Sequence, residues 1–255
     1  MIGMNETPLE TPSTASLEQL LLRDDMWMGH SQRFTTRAAV ETGYEQLNAS
    51  LLNRGWPLGS LVEVCQQGMQ GEWQLFTPAL LALPGLVVLV NPPAAPFSQA
   101  FIQAGIDLER LVVVAAAGKK HFISCFIELC RASVGAVLAW QPQETMSYTE
   151  LRKCQLAAAE GTGLSVVFRP VAMQQQSSPA TLRLYARLAS SGLEITVFKQ
   201  KGHLQTQQAK PIVLPLPAQW KAATPHAALM QKTAGAQTDS KPQPLASIIP
   251  LRGKT

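Results

Sequence analysis

The segment Glu63–Phe76, EVCQQGMQGEWQLF, joins an apolar strand to an amphipathic segment through a glycine-containing turn. Phosphate-binding loops of nucleotide-binding α/β proteins have this order of strand, turn and helix. Such a loop needs backbone N–H groups for the phosphates, a lysine, and a hydroxyl for magnesium. Gly68 and Gly71 are present, but Glu72 stands at the lysine position and Trp73 at the hydroxyl position.

Glu72 stands where a phosphate-binding loop has lysine, and its negative charge opposes nucleotide binding. A carboxylate about 4 Å from a phosphate charge costs roughly 4 kcal/mol at an effective dielectric near 20. That cost lowers affinity on the order of a thousandfold. Pro78 follows closely and disfavours a regular helix at this point. Taken alone, the segment is more typical of a strand and turn with a purely structural role.

Short strands rich in Val and Leu flank this segment and alternate with helical stretches. This alternation of nearly continuous apolar runs is typical of a doubly wound, mostly parallel α/β sheet with helices on both faces. A Ser-Ser-Gly turn within residues 181–199 predicts a hairpin at the edge of the sheet. The predicted strands are 61–65, 86–90, 111–115, 135–139 and 164–168, and the main predicted helices are 41–55, 96–104, 119–132 and 148–160.

Composition divides the chain into four parts. We expect residues 1–15 to be disordered, 16–35 to form an N-terminal helical segment, 36–217 to form the core, and 218–255 to be a disordered basic tail. The tail holds five basic residues and one acid, which leaves 16 of each in the body. A neutral body gives no general bias toward DNA, and direct DNA contact through the tail stays open.

The remaining composition argues against a secreted, membrane or metal-binding protein. No apolar run is long enough to span a membrane, and the acidic start does not fit a secretory signal. The four cysteines and four histidines lack ligand spacing, so we expect no metal and no cofactor. A cytoplasmic location is the default expectation.

Several longer segments match one protein family in order and spacing. They are GWPLGSLVEV (55–64), GEWQLFTPAL (71–80), LVNPPAAPFSQAFIQAGIDLERLVVV (89–114), GAVLAW (135–140) and FRPVAMQQQSSPATLRL (168–184). Together with Trp27-Met28-Gly29, they resemble ImuA, a RecA-like family associated with inducible translesion DNA synthesis in bacteria. The cell-division inhibitor SulA shares chiefly the GAVLAW and FRP segments.

The resemblance implies a RecA-like core that has lost ATP hydrolysis. Glu72 replaces the loop lysine, Asn91-Pro92-Pro93 stands where a catalytic acid would follow the next strand, and Trp140 replaces the aspartate associated with magnesium. We therefore predict a degenerate nucleotide pocket in which Trp73 and Trp140 fill the vacated space. Its predicted residues are Gly68, Gly71, Glu72, Trp73, Pro93 and Trp140.

By resemblance, the protein would be a non-catalytic accessory factor located at the nucleoid when induced. It would bind an ImuB-like inactive polymerase relative, an error-prone polymerase and RecA. The alternative is a SulA-like division inhibitor that binds FtsZ, and an active ATPase with an unusual loop is a third possibility. Candidate partner-binding residues are Leu20, Leu21 and Trp27 in the N-terminal segment, Arg169 after a strand, and Leu245, Ile248 and Ile249 near the C-terminus.

Overall fold

The computed structural model describes residues 38–67, 71–189, 192–202 and 210–215. Some of the predicted site residues and segments lie outside these ranges. They are Gly68, the N-terminal segment with Leu20, Leu21 and Trp27, and the C-terminal segment with Leu245, Ile248 and Ile249.

Ten strands and five α-helices make up the described part of the chain. The strands are β1 (Ala39–Val40), β2 (Trp56–Pro57), β3 (Ser60–Gln66), β4 (Val87–Val90), β5 (Leu111–Val114), β6 (Ala136–Trp140), β7 (Leu164–Pro170), β8 (Leu182–Ala189), β9 (Gly192–Gln200) and β10 (Ile212–Leu214). The helices are α1 (Glu45–Ser50), α2 (Thr77–Ala82), α3 (Ser98–Gln103), α4 (Gly118–Arg131) and α5 (Tyr148–Glu160). Short 3-10 helices cover Leu52–Arg54, Glu72–Phe76, Leu108–Arg110 and Val171–Gln175.

The main sheet has eight strands in the order β10-β9-β8-β3-β7-β6-β4-β5, and β1 pairs with β2 separately. All neighbours from β8 to β5 are parallel, whereas β9 is antiparallel to both β8 and β10. The predicted mostly parallel α/β sheet is therefore confirmed. The prediction that the β8–β9 hairpin forms the edge is wrong, because β10 adds a further strand along β9.

Two separate hydrophobic clusters cover the two faces of the sheet. Alternation along β3 divides its side chains between them: Val62 and Val64 join the cluster with α1, α2 and α3, and Leu61 joins the cluster with α4 and α5. Helices therefore lie on both faces, as predicted, and β3 is buried along its whole length.

The helices before and after β3 are shorter than the sequence suggests. The predicted helix over 41–55 is regular only in α1, because Leu51 takes an extended backbone (φ −97°, ψ 141°) directly after Ser50. Further on, Asn53 and Arg54 take left-handed angles (φ 59° and 54°) that prevent the helix from resuming. After β3 the chain forms the 3-10 helix Glu72–Phe76, and α2 begins only at Thr77 with Pro78 in its first turn. Proline is tolerated there because it needs no hydrogen-bond acceptor.

The described helices are all too short or too polar to cross a membrane.

Candidate functional site

Three parallel strands end at one edge of the sheet and bring the predicted pocket residues together. Gln66 ends β3, Asn91 follows β4, and Trp140 ends β6. Ligands of doubly wound proteins bind at the carboxyl ends of the strands, near the position where the direction of strand addition reverses. Here β3 is that position, since the chain leaves it toward β4 on one side and later adds β8 on the other.

A cavity of about 230 Å³ lies at this edge, on the face of α3. Prolines, alanines and aromatic rings form most of its wall, and none of the described side chains that line it is charged. The lining includes four residues of the predicted pocket, Gly71, Trp73, Pro93 and Trp140. Gln66 also lines the cavity and was not among the predicted residues.

The two tryptophans form walls and leave the space between them open. Trp73 stacks on Phe101 of α3 with ring centroids 4.6 Å apart, and Trp140 stacks on Phe168 of β7 at 4.7 Å. Each ring is held against a neighbouring aromatic side chain, and the expectation that the two rings fill a vacated nucleotide site stays a prediction. Phe97, at the rim, is 69% exposed.

Gln66 supplies the unsatisfied polar atom of the cavity. Its side chain is 7% exposed, and its Oε1 atom has no hydrogen-bond partner among the described residues. A buried acceptor without a donor costs about 1–3 kcal/mol. This atom therefore marks the point where a bound group would gain most from donating a hydrogen bond.

Asn91, which follows β4, has a structural role. Its Nδ2 donates to the Ala116 carbonyl at 3.0 Å, and its Oδ1 accepts from the Ala116 N–H at 2.6 Å. The residue adopts a left-handed backbone (φ 51°), which asparagine tolerates better than most residues. Asn91 thus ties the end of β4 to the segment after β5.

The backbone on the C-terminal side of the turn is described from Gly71 onward. Gly71 has a left-handed backbone (φ 94°) and precedes the 3-10 helix that begins at Glu72. The Glu72 side chain itself lies outside the described part, so the electrostatic argument from its charge stays a prediction.

A buried ion cluster on the other face of β3 was not predicted. Glu63 of β3, Arg169 of β7 and Arg183 of β8 lie on adjacent strands and are almost completely buried. Glu63 Oε1 accepts from Arg169 Nη1 at 3.1 Å and from Arg183 Nε and Nη2 at 3.0 and 2.6 Å. Glu63 Oε2 has no partner in the described structure. The cluster therefore buries two cations against one carboxylate.

The arginines also bind the segment that connects β7 to β8 and the residue that follows β6. Arg169 donates to Gln141 Oε1 and Gln176 Oε1, both at 2.7 Å. Arg183 donates to the Met173 carbonyl at 2.9 Å and lies 4.8 Å from the centroid of the Phe198 ring. The expected role of Arg169 as a partner-binding residue is corrected, because 1% exposure leaves it no surface to offer.

The cluster changes the ionisation of its neighbours. Burial, together with the Glu63 carboxylate, raises the pKa of the Cys65 thiol to about 12. Burial and the nearby Arg183 charge lower the pKa of Lys199, which donates to the Ser178 carbonyl. A single charged residue inside each of the apolar runs LVEVC, SVVFRP and LRLYA was the sequence signal for the cluster.

Within the described ranges, no group of three or more His, Cys, Asp or Glu side chains could hold a metal ion. No protein-family model matches the chain, and no curated protein is significantly similar to it.

Proposed function

We propose that this protein is a non-catalytic, RecA-like accessory factor of bacterial translesion DNA synthesis, which acts in the cytoplasm and at the nucleoid. It would hold together an ImuB-like protein, an error-prone polymerase and RecA. The carrying observation is that Gln66, Pro93 and Trp140, at or just after the strand ends, line a cavity whose described side chains carry no charge. The resemblance of the sequence to ImuA supplies the biological setting.

The chemistry of the cavity supports a role other than phosphoryl transfer. Such transfer needs cations and N–H donors around the phosphates and a group that positions the nucleophile. Gln66 instead presents an acceptor oxygen, and the prolines at positions 92 and 93 have no N–H. Both features oppose the binding of a triphosphate.

Two exposed apolar side chains, one at the cavity and one on α3, support binding to proteins. Phe97 is 69% exposed and Ile102 of α3 is 49% exposed. Large apolar side chains grouped on a surface mark interaction sites more often than isolated ones. We place one partner contact on this surface, which we call the α3 surface.

The alternative of a SulA-like division inhibitor has less support. The segments shared with SulA form β6 and the end of β7, and their side chains from Ala136 to Trp140 and at Phe168 and Arg169 are buried. These buried residues indicate a core in common with SulA, and they offer no surface to which FtsZ could bind.

Affinity capture with the full chain from DNA-damaged cells tests the proposal. We expect enrichment of the ImuB-like protein, with the polymerase and RecA in the same fraction. The double substitution Phe97→Ser and Ile102→Ser should reduce this capture. The control is Leu156→Ser on α5, which removes a leucine that is 48% exposed on the other face of the sheet. Enrichment of FtsZ in place of the ImuB-like protein would replace the proposal with the division inhibitor.

Titration calorimetry with ATP and magnesium tests the loss of nucleotide binding separately. We expect no saturable heat up to about 1 mM, which corresponds to less than about 4 kcal/mol of binding free energy. Binding at micromolar ATP would contradict the non-catalytic role.

A further inference from the structure

The size and chemistry of the cavity at the carboxyl edge define the group that fits it. A cavity of about 150 Å³ accepts benzene, so a volume of about 230 Å³ has room for one larger aromatic side chain. The rings of Trp73 and Trp140 offer aromatic surface, and the Gln66 Oε1 atom needs a hydrogen-bond donor. An indole ring combines flat faces with a single N–H donor.

The chain itself leaves the sheet on the same side as the cavity. Leu214, at the end of β10, pairs with Leu193, which pairs with Leu188 of β8. On the neighbouring strand, Gln66 pairs with Ala186. Leu214 is therefore two residues beyond the level of Gln66, at the carboxyl edge.

The segment after Leu214 is long enough to reach Gln66, on the strand of the cavity wall that is nearest to β10. Three steps in the strand order separate β10 from β3, which corresponds to about 14 Å between strands. Trp220 follows Leu214 by six residues, which span up to about 20 Å when extended. Pro215 and Pro217 favour an extended course. No other tryptophan, tyrosine or phenylalanine follows Leu214 in the sequence.

We propose that Trp220 docks into this cavity, with its indole N–H donating to Gln66 Oε1. The C-terminal segment would then occupy the place where a RecA-type ATPase holds nucleotide. The docking is independent of the proposed function, since the α3 surface can bind a partner whether or not the cavity is filled.

Fluorine NMR of the full chain labelled with 5-fluorotryptophan tests the docking, and Trp220→Phe assigns the resonance. We expect the Trp220 resonance to differ from that of free 5-fluorotryptophan and to be protected from a soluble gadolinium chelate. Ala100→Phe fills the cavity from α3 and should move the resonance to the free position. Ala159→Phe, on the exposed side of α5, is the matched control and should leave it unchanged. The other tryptophan resonances report whether each variant is folded.

Gln66→Leu removes the acceptor and should lower the docked population about fivefold to tenfold. A Trp220 resonance at the free position in the wild-type chain, or one unchanged by Ala100→Phe, would overturn the docking. A shift that grows with protein concentration would show that a second copy supplies Trp220, and would overturn it as well. An undocked Trp220 in a wild-type chain that still captures its partners refutes this inference and leaves the proposed function standing.

Discussion

Replacing Glu63 by glutamine tests whether the buried ion cluster holds the centre of the sheet. The substitution keeps the shape of the side chain and one acceptor oxygen, but removes the negative charge that faces Arg169 and Arg183. Both arginines then remain buried as cations with only neutral partners. Removing one member of a buried ion pair costs about 3–5 kcal/mol because the other charge stays without compensation.

The expected loss in the free energy of unfolding lies near the upper end of this range of about 3–5 kcal/mol for two reasons. Three N–H groups converge on the same Glu63 oxygen, within 3.1 Å. The side chain is also fully buried, so water cannot replace the lost charge. The remaining acceptors, Gln141, Gln176 and the Met173 carbonyl, offset part of the loss. A domain of this size loses about 2–4 °C per kcal/mol, so Glu63→Gln should lower Tm by about 10 °C.

Urea unfolding of the full chain measures this loss, with thermal unfolding as a second readout. The control is Glu160→Gln, the same chemical change in the exposed ion pair with Arg131, and it should behave like the wild type. Glu63→Met combined with Arg169→Met and Arg183→Met removes all three charges and should recover part of the stability. If Glu63→Gln were as stable as Glu160→Gln, the cluster would not stabilise the fold and the reasoning would be refuted.

Three further predictions concern ionisation and helix capping. Iodoacetamide at pH 8 should modify half-buried Cys125 at least tenfold faster than Cys65, which is buried and has a pKa raised to about 12. Peptide mass spectrometry measures both rates, and the two cysteines should be modified equally once urea unfolds the chain. Because the pKa of Lys199 is lowered in the folded protein, the unfolded chain binds the Lys199 proton more tightly. The Tm of the wild type should therefore rise relative to that of Lys199→Met as the pH increases from 7 toward the usual lysine pKa of 10.5. The Ser147 hydroxyl caps the start of α5, so Ser147→Ala should lower the free energy of unfolding in urea by about 1 kcal/mol. Thr149→Ala removes an exposed hydroxyl from the same turn and should lower it less.

The strands were predictable because each is a short apolar run bounded by turns. Predicted and observed bounds differ by at most two residues for β3 to β7, and α5 was predicted at its observed bounds. A strand buried on both faces is mostly apolar, so its signal is local. The short β10 was less visible, because three apolar residues form a strand only when β9 is present to pair with them.

The contents of the candidate site were less predictable than its position. The sequence placed Trp73, Pro93 and Trp140 at one edge of the sheet, because parallel strands end together. It could not show that the two tryptophans stack on Phe101 and Phe168, since those contacts depend on how the helices pack. Arg169 was assigned to the surface because charged residues are mostly exposed, and its burial depends on the distant Glu63.

The two unusual features of the molecule lie on opposite faces of β3. Glu63 points to the face of α4 and α5 with the ion cluster, whereas Gln66 lines the cavity on the face of α3. Because side chains alternate along a strand, a change in one feature need not disturb the other. Filling the cavity with Ala100→Phe should therefore leave the ion cluster intact, and Glu63→Gln should lower stability without closing the cavity. Changes at the carboxyl edge can therefore leave the ion cluster and the stability of the sheet unaffected.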